Sequence, residues 1–156
     1  KRRGAEVVAV AGPEKAQAVR ALGADLVISR GDDPAVVLGS ESVEVVIDVV
    51  GGSGWPALIE VLRNGGRLAT SGAIAGPIVE LDLRTLYLKD LTVLGCTLQE
   101  PVVFENLVGY VERGEIVPVV ARTYPLREIV RAQEAFQTKS LTGKLVRVVA
   151  SEEGQR

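Results

Sequence analysis

The residues best placed to do chemistry are glycine-rich turns that follow apolar runs. Gly52-Ser53-Gly54-Trp55-Pro56-Ala57 fits G-x-G-x-x-[GA]. It follows a Val-rich run and opens a helical pattern. In that context glycines let the backbone approach a pyrophosphate, and the helix N-terminus favours its negative charge. Two features oppose this reading. Trp55 is bulky beside the point of closest approach, and the next strand, ending near Ser71, offers no acid for a ribose hydroxyl. The competing reading is a Gly-rich strand-to-helix turn.

A second turn, Ala11-Gly12-Pro13-Glu14-Lys15, follows the first Val-rich run. In a dinucleotide fold an Asp or Glu at such a strand end binds the ribose diol of NAD. Here small residues stand there instead, with Lys15 close behind. Gly12 with a nearby cation suits a 2′-phosphate, so NADP is expected over NAD. Glu14 partly offsets that cation, and Arg30 at the next strand end could add another. The competing reading is a solvated helix start.

Five further positions draw attention. Asp48 lies inside an apolar run, either as a carboxylate satisfied by backbone N–H groups or in a catalytic role. Cys96 follows Gly95, where a free Cys ordinarily acts as a small core hydrophobe. Ser71 and Gly72 end a strand, the place where open α/β sheets bind ligands. Lys144 follows Gly143 at the mouth of the final apolar run, as a surface lysine or a ligand contact.

Other chemistries are excluded by composition. The chain has no His and a single Cys, so it cannot build a Ser-His-Asp triad, a His-ligated metal site, a disulfide framework or a Cys-based zinc finger on its own. Zinc is not expected in this chain. The phosphate loop G-x-x-x-x-G-K-[ST] is absent. Tyr87, Tyr110 and Tyr124 have no Lys four positions on, which removes the Tyr-x-x-x-Lys pair.

These turns need a scaffold, and the chain supplies alternating patterns. Residues 5–11, 25–29 and 43–50 are apolar runs; the last holds five Val and one Ile in eight residues. Runs of this kind suit strands covered on both faces, so Val45–Val50 is expected as an interior ribbon. Residues 67–72, 92–98 and 144–150 are further strand candidates. Between them lie helical patterns. One starts at Pro13 and stops at Gly23, and one starts at Pro56 and ends at Asn64-Gly65-Gly66. A third runs over Val103–Val111 and a fourth over Ile129–Phe136. The alternation predicts an α/β fold with a largely parallel sheet, because parallel neighbours need crossovers.

The chain has 156 residues, 47% hydrophobic and 24% charged, which suits one domain with a real core. Eighteen basic residues against twenty acidic ones, a net charge of -2, argue against nucleic acid or an anionic membrane as a partner. No segment approaches the ~18 consecutive apolar residues of a membrane span. With no Met anywhere, Lys1 is not an initiator residue. The expectation is a soluble, cytoplasmic chain whose beginning is missing, with a polar, frayed tail at 151–156.

Five segments in order resemble the C-terminal, cofactor-binding part of the medium-chain dehydrogenase/reductase superfamily, closest to its quinone oxidoreductase and zinc-type alcohol dehydrogenase-like branches. They are GAEVVAVAGPEKAQAVRALGAD (4–25), VEVVIDVVGG (43–52), VLRNGGRLATSGAIAG (61–76), LYLKDLTVLGCTL (86–98) and AQEAFQTKSLTGKLVRVV (132–149). The resemblance implies an incomplete Rossmann-type, doubly wound sheet over 1–150, lacking the first strand and its glycine-rich turn. Gly52–Ala57 would then follow the fourth strand and not be the fingerprint. It also implies a parent enzyme that passes hydride from NADPH to an enone, a quinone or a related carbonyl acceptor.

Position by position, the resemblance sets Gly12 and Lys15 at the adenosine-phosphate end, and Arg30 where relatives often carry Tyr. Val49, Val50 and Gly51 fall beside the nicotinamide ribose, and Ser71, Gly72 and Ala73 in the loop near the nicotinamide. Cys96, Thr97 and Leu98 fall on the strand facing the carboxamide, and Lys144 is a late cofactor contact. No catalytic residue is assigned. In a 3-2-1-4-5-6 order the absent first strand is central, so its neighbours would each lose a partner. The resemblance further implies a homodimer or larger assembly, extended through the strand near Leu91–Leu98. The alternative from another class is a non-catalytic interaction module that keeps the scaffold.

Overall fold

The computed structural model describes residues 1–138 and 140–149. The expectation for the tail at 151–156, and for Ala150 in the last strand, lies outside the described residues. The chain forms two compact units, one of Glu6–Glu100, the other of Lys1–Ala5 with the chain from Pro101 onward.

In the first unit, β1 (Val8–Ala11) pairs in parallel with β2 (Leu26–Ser29), in the register Val8 to Leu26 through Ala11 to Ser29. The crossover is a short 3-10 turn at Pro13–Lys15 followed by α1 (Ala16–Ala21). A separate three-stranded parallel sheet has the order β3 (Val43–Asp48), β4 (Leu62–Thr70), β5 (Thr92–Gly95). Its crossovers carry α3 (Trp55–Glu60) and α4 (Leu83–Leu88), and α2 (Pro34–Leu38) precedes β3. The expected α/β class with parallel strands is therefore the observed one.

The core of this unit is Trp55, Ile59, Leu62 and Leu68, with Val43, Val46, Leu58, Val79, Leu81 and Leu91 packed around it. It explains a difference from the sequence pattern. The second helix ends at Glu60, short of Asn64-Gly65-Gly66, because Val61 and Leu62 are drawn into the buried layer and Leu62 already belongs to β4. The glycines instead form a bulge within β4: Val43 faces Leu62, yet Val45 faces Arg67. Gly65 adopts a φ of 73° there, and its N–H donates to the Lys89 carbonyl at 2.8 Å.

Three strands are shorter at their carboxyl ends than their apolar runs suggested. β3 stops at Asp48, β4 at Thr70 and β5 at Gly95, so Val49–Gly51, Ser71–Ala73 and Cys96–Leu98 lie just beyond the ladders. Two five- to six-residue helices were not visible as periodicity. Their signal is a cap: Asp33 accepts from the Ala35 amide ahead of Pro34, and Asp82 from the Arg84 amide.

The second unit carries α5 (Pro101–Glu112), β6 (Val120–Pro125), α6 (Ile129–Gln137) and β7 (Lys144–Val148), with β6 and β7 parallel. β6 was missed because Arg122, Thr123 and Pro125 break its apolar pattern. Within this unit Arg2 stacks on the Tyr110 ring at 3.7 Å and pairs with Glu115, tying the first residues to α5.

β3 is not the interior ribbon that its composition suggested. Among the described residues it pairs only with β4, and β1 pairs only with β2. Val45 and Ile47 on β3 are 55% and 70% exposed, while Val46 and Asp48 on the other face are covered. A Val- and Ile-rich strand with one open edge and Val45 and Ile47 on an open face is a template for pairing with another strand. We expect the chain to self-associate at micromolar concentration and to show fast amide exchange along the open edges of β1 and β3. Sedimentation velocity with hydrogen exchange checks this, and a compact, cooperatively folding monomer is the contrary result.

At the carboxyl end of β3, Asp48 is 4% exposed and fully engaged. Its carboxylate accepts from the amides of Val50 (2.9 Å) and Gly51 (3.1 Å), from Trp55 Nε1 (2.9 Å) and from Thr70 Oγ1 (3.3 Å). Burial pushes its pKa up, but the Trp55 indole, the two amides and the Thr70 hydroxyl outweigh burial and hold it below the usual carboxylate range. Lowering the folded pKa makes Asp48 contribute stability that is complete above the unfolded value of about 3.9 and is lost as pH falls through the folded value. Trp55, the chain's one Trp, reports this directly. Its fluorescence is expected to shift in an acid titration below about pH 4, and Asp48→Asn is expected to lack that component.

Candidate functional site

The ends of β3, β4 and β5 are joined into one platform by backbone hydrogen bonds that continue past the ladders. The Ser71 amide donates to the Asp48 carbonyl (3.0 Å), the Ala75 amide to Val50 (2.8 Å), the Gly52 amide to Gly76 (3.0 Å) and the Cys96 amide to Thr70 (2.8 Å). Gly51 and Gly76 form an isolated parallel bridge. This is the edge of an open parallel sheet at which ligands bind.

Close approach of the two loops requires glycine at two positions. A Cβ on Gly72 would sit 2.6 Å from the Val49 carbonyl oxygen. On Gly51, at φ 67°, it would sit 2.6 Å from that of Gly76. Both contacts are with backbone and cannot be relieved by a side-chain rotation.

A cleft of about 540 Å³ opens on this platform, within the usual range for small-molecule sites. Of the expected residues, Gly51, Ser71, Gly72, Ala73, Cys96 and Thr97 line it. Val49 and Val50 belong to the platform but not to the cleft wall, and Leu98 is 91% exposed beyond it. Thr70, Trp55, Gly76, Pro77 and Val79 also line it and were not anticipated. Thr70 carried a usable signal, as the last residue of a strand leading into Ser-Gly. Pro77 and Val79 reach the site only through the return of the loop after β4, which no local pattern shows. Cys96 is exposed, with Sγ 3.9 Å from the Leu94 carbonyl oxygen, so it is not the core hydrophobe expected of an isolated Cys. The short strand ends before it, and Cys96 lies in the cleft wall and not in the core.

Gly12, Lys15 and Arg30 form a second group, at the carboxyl ends of β1 and β2. Ala11 and Ser29 are register partners, the Arg30 amide donates to the Ala11 carbonyl (2.9 Å), and the Lys15 amide donates to that of Gly12 (2.9 Å). Arg30 thus follows the end of β2 beside Ala11, and Lys15 closes the turn that begins at Gly12. A Cβ on Gly12 would meet the Glu14 carboxylate at 2.4 Å. Lys144 belongs to the other unit, at the amino end of β7, where its amide donates to Val119 (2.8 Å).

Gly52-Ser53-Gly54 is a 3-10 turn, and Trp55 is buried with its indole on Asp48. A Cβ on Gly52 would meet that of Ala75 at 3.0 Å. These glycines serve contact between loops, in keeping with the strand-to-helix reading of that string. No three His, Cys, Asp or Glu side chains converge on a metal position among the described residues, so the residues present do not fit a zinc site. No helix among them is long and apolar enough to cross a membrane.

A solved alcohol dehydrogenase-type structure from Sinorhizobium meliloti 1021 is 45% identical with a TM-score of 0.84, over 94% of this chain and 42% of that one. The 2-octenoyl-CoA carboxylase reductase CinF, solved with NADP and 2-octenoyl-CoA, is 29% identical with a TM-score of 0.83, over 98% of this chain and 40% of its own. The acryloyl-coenzyme A reductase of Metallosphaera sedula is 32% identical over 94% of this chain and 44% of its own length. The chain thus spans less than half the length of each of these relatives. The zinc-binding dehydrogenase family model matches residues 22–146. A parallel α/β sheet of Rossmann type, glycine-dependent loops at its carboxyl edge and that match place the chain in the zinc-binding dehydrogenase family, within the medium-chain dehydrogenase/reductase superfamily.

Proposed function

We propose that residues 1–150 are a partial dinucleotide-binding domain, the cofactor-binding portion of an NADPH-dependent oxidoreductase. Its hydride acceptor is an enone, a quinone or a related carbonyl compound such as an unsaturated thioester. The observation that carries this reading is the joined edge of β3, β4 and β5, with its cleft of about 540 Å³ lined mostly by small residues beside Trp55, Pro77 and Val79.

The nicotinamide cofactor supplies the hydride, and the protein supplies grip and orientation. Val49–Gly51, Ser71–Ala73 and Cys96–Leu98 hold the nicotinamide and its ribose. The close contact of Gly72 with Val49 keeps that wall thin enough for a flat ring to lie against backbone. At the adenosine end Lys15 and Arg30 take the 2′-phosphate by charge-assisted hydrogen bonds, once the Glu14 carboxylate that lies over Gly12 swings aside. Lys144 is a late contact. The relatives named for unsaturated coenzyme A esters support the acceptor class. In this reading the enzyme is a cytoplasmic homodimer or larger assembly, and the open outer edge of β5 supports extension of the sheet between subunits.

The test is fluorescence titration of the complete reductase with NADPH and NADH. NADPH is expected to bind more tightly. Lys15→Glu is expected to weaken NADPH relative to NADH by about 10–100-fold, the equivalent of one charge-assisted hydrogen bond. Tighter binding of NADH to the unaltered enzyme overturns the Lys15 argument. Failure to bind either nucleotide overturns the reductase reading in favour of a non-catalytic module.

A further inference from the structure

Asp48 does more than fill a buried position. Its carboxylate ties together three parts of the joined edge: the turn after β3 through the Val50 and Gly51 amides, the start of α3 through Trp55, and the end of β4 through Thr70. The turn it holds then presents the Val50 carbonyl to the Ala75 amide and the Gly52 amide to the Gly76 carbonyl. The Asp48 backbone carbonyl takes the Ser71 amide. One residue thus sets both loops that wall the cleft, without itself lining it.

We infer that Asp48 is a positioning residue for the reaction: by clamping Val50, Gly51, Trp55 and Thr70 it fixes the separation of the 49–52 and 71–76 loops, and with it the placement of the nicotinamide ring. This rests on the proposed function. The physical requirement is an acceptor with no donor. Asn has nearly the same shape, but its NH2 group cannot accept from the amides or the indole, so at least one buried donor loses its partner. The loops then move apart by a fraction of an ångström while the rest of the sheet persists. A shift of that order at a reacting centre is enough to cost up to about 100-fold in rate.

The adenosine end stands on a different sheet, β1 and β2, and makes no hydrogen bond to Asp48. Adenosine 2′,5′-bisphosphate, which lacks the nicotinamide half, therefore separates positioning from general loss of fold. The experiment uses the complete reductase and its Asp48→Asn variant. It measures affinity for that bisphosphate and the single-turnover rate of NADPH oxidation with a saturating unsaturated acceptor. The expected result is affinity within twofold of the unaltered enzyme and a rate lower by about 10–100-fold. A rate within twofold of the unaltered enzyme overturns the inference.

Should Asp48→Asn fail to fold, Thr70→Val, which removes a donor to the carboxylate, is compared with Thr70→Ser, which keeps that donor while altering the same stretch of cleft wall. Thr70→Val is expected to slow turnover several-fold relative to Thr70→Ser with bisphosphate affinity unchanged, and equal turnover in the two overturns the inference. A parent enzyme that neither binds NADPH nor turns over overturns the proposed function instead, so the two failures are distinct.

Discussion

A buried carboxylate with no cation beside it ordinarily destabilises a fold, because burial disfavours its charge. Asp48 escapes that cost through four N–H and O–H partners from the turn after β3, from α3 and from β4. The turn after β3 takes its shape from this arrangement. The Val50 and Gly51 amides point inward, so the Val50 carbonyl and the Gly52 amide point outward, toward the loop after β4. Trp55 is pulled over the carboxylate and becomes a member of the core together with Ile59, Leu62 and Leu68. One polar interaction thus links the hydrophobic layer to the loops that wall the cleft.

Glycine has two separate uses in this edge. At Gly51 it supplies a left-handed backbone that other residues adopt at a cost, and at Gly72 it lets one backbone lie against another. Neither use involves a ligand phosphate. The string Gly52–Ala57 imitates a dinucleotide fingerprint because a strand-to-helix turn and a phosphate-binding turn share the need for missing side chains. What distinguishes them is the occupant of the space above the turn. Here the neighbouring loop, at Ala75, occupies it.

Division of the parallel strands into separate sheets carries the strongest tension in the molecule. β1–β2 and β3–β4–β5 each have regular internal pairing, yet β1 and β3 show each other no ladder. The Val and Ile content of β3 matches a strand covered on both faces, whereas its outer face is open. Composition therefore reports the environment in which this strand is stable. In a 3-2-1-4-5-6 sheet that environment contains one more central strand between the two edges.

Much of this was legible in the sequence because it is local. Runs such as VEVVIDVV declare strands, Pro13, Pro56 and Gly23 mark helix limits, and five ordered segments carry the family. Ser71 and Gly72 were recognisable as cleft residues because parallel strands deliver their carboxyl ends to one edge, whereas Gly51 and Ala73 came from the family resemblance. Other features rest on contacts between residues far apart in the chain, and only the tertiary structure decided them. Asp48 finds Thr70 across 22 positions, and Gly65 finds Lys89 across 24. The end of α3 at Glu60 is set by the burial of Val61 and Leu62, not by the glycines beyond them. The sequence by itself determined most of the strands, β6 excepted, and the family they belong to, since periodicity and residue order are properties of the chain. The fold alone decided that a buried aspartate governs the cleft, because that role depends on donors that no stretch of sequence brings together.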